Sequence, residues 1–104
     1  MPLRMILPAA LVLVCCGSSG SLAQSELTRG ATLAAACAAC HGPQGYSVGR
    51  IPALQTLPPG ALLTALQAFR SGARAGTVMP RLLKGLSETD LQAIAAYFAA
   101  LPRP

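Results

Sequence analysis

Two cysteines three positions apart, with a histidine directly after the second, give Cys37-Ala38-Ala39-Cys40-His41 the pattern of a covalent haem attachment site. Each residue type has a task. Thiols one helical turn apart add to the two vinyl groups on one edge of a porphyrin. The residue after them then lies beneath the iron and offers an imidazole nitrogen. Other uses of the pattern fit less well. A structural zinc site needs four ligands, and only Cys37, Cys40 and His41 are on hand. A thioredoxin-like pair would follow a strand in an α/β pattern, and the chain shows no strand pattern. A Cys37–Cys40 disulfide closes too short a ring to stabilise much.

His41 is the only histidine among 104 residues, so the chain has no second imidazole for the far side of an iron. Met1, Met5 and Met79 are the methionines, and the first two fall in a segment expected to be removed. Met79 is then the soft ligand left, the alternative being a core filler. It stands in Thr77-Val78-Met79-Pro80, read as a loop that can carry a thioether to the opposite haem face. His/Met ligation raises the reduction potential and leaves no open coordination position. The expectation is therefore a carrier of single electrons, not a catalyst. The imidazole also needs its second nitrogen fixed, and a backbone carbonyl near Pro52 is the candidate acceptor.

The ends of the chain bound where this chemistry happens. Arg4 precedes an apolar run over residues 5–16, broken only by Pro8, and residues 17–23 turn small and polar. Ser21-Leu22-Ala23 puts small residues at the −3 and −1 positions of a cleavage site. Residues 1–23 are thus expected to be a signal peptide, and residues 24–104 a single monohaem domain. The apolar run is short of the ~20 residues that cross a bilayer, which leaves an uncleaved anchor as the alternative. Cys15 and Cys16 raise lipid attachment, yet Val14 is a poor residue to precede a lipidated cysteine. The expected location is the periplasm, with no lasting membrane association after cleavage.

Removal of 23 residues leaves 81, a small domain with little core of its own. There is no Trp, and Tyr46, Phe69, Tyr97 and Phe98 are the aromatics. A haem would supply the missing apolar mass. The formal charge of the whole chain is +5, which falls to about +4 without Arg4. Export argues against nucleic acid as the basic chain's partner and favours an acidic protein. Arg50, Arg70, Arg74, Arg81 and Lys84 are candidates to ring a haem edge.

Three helical patterns must position the site, and the fold class reads as all-α. The first covers about residues 25–38, with Ser25 as candidate N-cap and Leu27, Ala31, Ala34 and Ala38 at helical spacing. Gly30 and the alanines leave a slim surface on which another helix can cross closely. A turn-rich loop follows His41 and runs on through Arg50-Ile51-Pro52-Ala53-Leu54. A second helix starts near Pro58-Pro59, buries Leu62, Leu63, Leu66 and Phe69, and ends at Gly72. A short turn is expected over residues 81–84. In the last helix Ser87 and Asp90 resemble a capping box, and Leu91, Ile94, Ala95, Phe98 and Leu101 share a face up to Pro102.

Cys37-Ala38-Ala39-Cys40-His41, Ile51-Pro52-Ala53-Leu54, Met79-Pro80 and a terminal amphipathic helix together resemble class I cytochromes c. The resemblance covers essentially all of residues 24–104. It implies a small fold of three main helices around one covalent haem c, with the Pro52 carbonyl accepting from His41. Tyr46-Ser47-Val48-Gly49, Phe69-Arg70-Ser71-Gly72, Thr77-Val78-Met79 and Lys84-Gly85-Leu86-Ser87 are similar to the cytochrome subunit of flavocytochrome c sulfide dehydrogenases. Pro80 and Leu86 depart from that pattern, where Gly and Tyr are usual. This likeness implies a flavoprotein that oxidises sulfide as electron donor, and another cytochrome or an oxidase as acceptor. A free carrier between a quinol-oxidising complex and an oxidase is the alternative. A gas-binding or sensory haem protein is a third reading, and it would need Met79 off the iron.

Overall fold

The computed structural model describes residues 9–10, 12, 19–47, 49–58 and 60–102. The apolar run, Met1, Met5 and the lipid candidates Cys15 and Cys16 lie outside the described residues or, at residues 9, 10 and 12, in no regular element. Four α-helices follow in order: α1 (Ser19–His41), α2 (Ala61–Ser71), α3 (Met79–Leu83) and α4 (Glu88–Ala100), with one 3-10 turn at Pro43–Gly45. No strand occurs among the described residues, and the fold is all-α as expected.

α1 is longer than its spacing suggested. It begins at Ser19, so Ser25 is an interior residue and not the N-cap. The six residues ahead of it include Leu22, Ala23 and Gln24, good helix formers, and no proline. The bond after Ala23, the expected cleavage point, falls within this helix. None of the described helices is long and apolar enough to cross a membrane.

The close crossing expected at Gly30 is present, and α4 is the helix that crosses. A Cβ on Gly30 would run into the carbonyl oxygen of Ala93 and come to 2.9 Å from the Tyr97 Cβ. Ala93, opposite, has no exposed surface at all. Arg29, one residue before the crossing, donates from Nε and Nη2 to the Asp90 carboxylate. Asp90 also accepts from the Ser87 backbone N–H, while the Ser87 hydroxyl accepts from the Asp90 N–H at 3.1 Å. The capping box thus does two jobs, closing the first turn of α4 and tying it to α1.

α2 begins at Ala61, later than Pro58-Pro59 suggested. Gly60 takes a left-handed conformation (φ 81°) that a proline could not, and the Ala61 N–H bonds the Pro58 carbonyl at 3.0 Å. Gly72, also left-handed, ends the helix where expected. Arg70 and Gln67 reach the Glu88 carboxylate at 2.6 Å each and join α2 to the start of α4.

Between these helices Leu54, Leu62, Leu66, Leu83, Leu91, Ile94 and Phe98 form one buried cluster with Ala34. Burying each such large side chain contributes about 1.5–3 kcal/mol against the chain's entropy. Leu63, Phe69 and Leu101 pack on its margin and are only half-buried. Leu27, expected on the apolar stripe of α1, is exposed.

Candidate haem site

The last turn of α1 carries Cys37, Cys40 and His41, and the helix stops there because Gly42 turns the chain away. Gly42 has φ 85°, and a Cβ at that position would collide with the Tyr46 backbone. Its N–H still closes the final turn on the Ala38 carbonyl at 3.0 Å. Cys37 packs half-buried against the core cluster, and Cys40 is exposed; no disulfide joins the two. Burial pushes the Cys37 thiol above its ordinary pKa, against a smaller lowering by its backbone hydrogen bond. Before haem attachment the thiol therefore stays protonated near neutral pH.

His41 is buried, at 8% exposure. Its Nδ1 lies 2.6 Å from the Pro52 carbonyl oxygen, the acceptor expected from the sequence. A carbonyl can only accept, so Nδ1 carries the proton and Nε2 keeps a lone pair for a metal. The loop that brings Pro52 back is held by Gly45, whose carbonyl accepts from the Leu54 and Gln55 N–H groups at 3.0 and 3.4 Å. Gly45 has φ 80°, and a Cβ there would press on Phe98, Leu54 and the Gln55 backbone.

Met79 is not in a loop, as the sequence suggested, but is the first residue of α3. Pro80 needs no N–H at the second helical position, and the Arg81 and Leu82 N–H groups bond the Val78 carbonyl at 3.0 and 3.1 Å. The expected turn at residues 81–84 thus starts two residues earlier. The Met79 side chain packs on the margin of the same cluster that Cys37 borders. The residues beside the two segments suit a porphyrin. Ile51 next to Pro52, Val78 next to Met79, and Leu82 are 43%, 57% and 56% exposed, large apolar side chains that a flat apolar ring would cover.

The basic residues divide. Arg50, Arg74, Arg81 and Lys84 are exposed. Arg70 is committed inside the fold, since it also reaches the Leu86 carbonyl at 3.4 Å beside its pair with Glu88. Arg74 lies with its guanidinium 4.6 Å from the centre of the Phe69 ring. Sequence reasoning missed Gln55, which is 3% exposed and sits one residue past the Pro52-Ala53-Leu54 segment. A lone amide in a loop carries no periodic signal to find it by.

A family model for cytochrome c matches residues 27–102. The cytochrome subunit of sulfide dehydrogenase from Chlorobaculum tepidum is 40% identical over 76 residues, which cover 73% of this chain and 69% of that protein. A thiosulfate dehydrogenase electron acceptor from Stutzerimonas stutzeri is 37% identical over 68% of this chain, but the match spans only 34% of the relative. Cytochrome c-554(547) from Halothiobacillus neapolitanus is 36% identical over 64% of this chain and 86% of its own length.

Proposed function

Because the chain belongs to the cytochrome c family, we propose that this monohaem electron carrier holds its iron between His41 and Met79 and serves a sulfide-oxidising flavoprotein. It is an electron-transfer protein and not an enzyme, and its haem c is covalently attached, with Cys37 and Cys40 as the thiols of the motif. Bound there, the haem supplies one reversible electron. The chain's own residues do the rest. His41 offers Nε2, with its ring fixed by Pro52. Met79 offers a thioether from the opposite segment, and Leu54, Leu66, Leu83 and Ile94 keep water from the interior.

The observation that carries the axial assignment is the His41–Pro52 hydrogen bond, which sets the tautomer an iron ligand needs. Met79→Ala tests the other ligand. It should give a high-spin spectrum and a lower potential, and an unchanged low-spin spectrum would mean that another group holds the position.

The name and coverage of the Chlorobaculum relative, a subunit of a sulfide dehydrogenase, support a sulfide-oxidising partner. Purification from the native host, followed by assays for bound flavin and sulfide-dependent haem reduction, tests it. A free carrier between a quinol-oxidising complex and an oxidase is the second reading. It is favoured by the 86% coverage of cytochrome c-554(547), a name without a partner enzyme. In either reading residues 1–23 are a signal peptide, residues 24–104 work in the periplasm, and the acceptor is another cytochrome or an oxidase.

A further inference from the structure

We propose that Gln55 is a positioning residue for His41: by tying the returning loop to the Pro102 carbonyl it holds the Pro52 carbonyl on the imidazole. The inference rests on His41 being an iron ligand. Pro52 lies outside the buried core, so packing in the core does not fix the carbonyl that His41 uses. It must be held from behind, and the bonds behind it converge on one point. Gln55 Nε2 donates to the Pro102 carbonyl just past the end of α4. The Tyr46 hydroxyl donates to the same oxygen at 3.1 Å. Between them Gly45 takes the Leu54 and Gln55 N–H groups and lies against Phe98 of α4. Residues 45–55 are thereby fastened at both ends to the C-terminal end of α4, with Pro52 between the fastenings.

Gln55 is a costly choice for this position. Its Oε1 is buried, and among the described residues no group bonds to it. A buried amide with an unmet acceptor opposes folding, and an aliphatic side chain of similar size would not. What the amide adds is the donor aimed at Pro102. The bond it supports, from Nδ1–H to a carbonyl, makes the imidazole more basic and favours ferric iron. Loosening the loop should therefore raise the reduction potential.

The test uses the full haem-loaded chain and four variants: Gln55→Leu, Tyr46→Phe, truncation after Leu101, and the truncation combined with Gln55→Leu. Potential and the solvent exchange of the His41 Nδ1 proton are read by voltammetry and NMR. Gln55→Leu and Tyr46→Phe should each raise the potential, and all three single variants should speed that exchange about tenfold or more. Loss of Arg103 with the truncation acts on the potential in the opposite sense. Adding Gln55→Leu to the truncation should change neither readout further, because both act through one carbonyl. A lower melting temperature with unmoved potential and exchange would overturn the proposal and leave Gln55 a structural residue. If Gln55→Leu does not fold, Tyr46→Phe and the truncation decide through the exchange readout, and unchanged exchange in both is equally fatal. Wild-type His41 ring signals without iron-induced shifts would overturn the ligand reading itself, and this inference with it.

Discussion

His41 Nδ1 and the Pro52 carbonyl oxygen, eleven positions apart in the chain, meet at 2.6 Å. One residue ends the longest helix and the other sits in an exposed segment, so their meeting defines the path of the whole loop between them. Gly42 and Gly45, both at positive φ, make the two bends that the path needs. The bond leaves Nε2 as the nitrogen whose lone pair a metal could take.

Gly30→Ala should destabilise the fold although alanine is the better helix former. The gain in helix propensity is about 1 kcal/mol, but the new methyl meets the Ala93 backbone, which cannot give way as a flexible side chain could. Overpacking of this kind typically costs about 1–3 kcal/mol, so a net loss is expected as a lower urea midpoint. A raised midpoint would mean that α1 and α4 stand further apart.

Ser87→Ala should cost about 1 kcal/mol, the usual value of an N-cap hydroxyl. Denaturant unfolding at neutral pH measures it. Because Asp90 would keep its bonds to Arg29, the loss should be smaller than that of a variant that also lacks Arg29.

Acid should weaken the fold through Glu88 and Asp90. The Gln67 and Arg70 hydrogen bonds lower the Glu88 pKa, and the Ser87 backbone bond, then Arg29, lowers that of Asp90. A carboxylate depressed in the folded state adds stability above its unfolded pKa of about 4, and loses it as pH falls through the lower folded value. Stability should thus be level from neutral pH to about 5 as far as these two groups decide it, then drop. In Glu88→Gln with Asp90→Asn the acid limb should be shallower, as followed by thermal unfolding across pH.

Much of this was legible in the residues, and the failures have physical causes. The Pro52 acceptor, the Gly30 crossing and the Ser87–Asp90 box each rest on a rule that the fold obeys. The start of α1 was misplaced because a good N-cap residue can also sit inside a helix whose upstream residues continue the pattern. Ala93 was missed because its burial follows from the absence of a side chain on Gly30, a partner distant in sequence. Arg29 and Gln55 carry no local sequence signal, and only tertiary contacts make them ties.

Docking should depend on Arg81 and Lys84 and not on Arg70. Charge reversal at the two exposed residues should slow electron transfer to an acidic partner and flatten its dependence on ionic strength. Arg70→Ala should instead lower stability, since its guanidinium holds Glu88. Stopped-flow rates at several salt concentrations separate the two effects.

With His41 and Met79 as its proposed ligands, the iron would have no open position, and the protein would pass electrons without binding a ligand. Carbon monoxide titration of the reduced wild-type protein tests it most directly. No rapid spectral change is expected at stoichiometric gas. Fast, stoichiometric binding would show an open coordination position and contradict it.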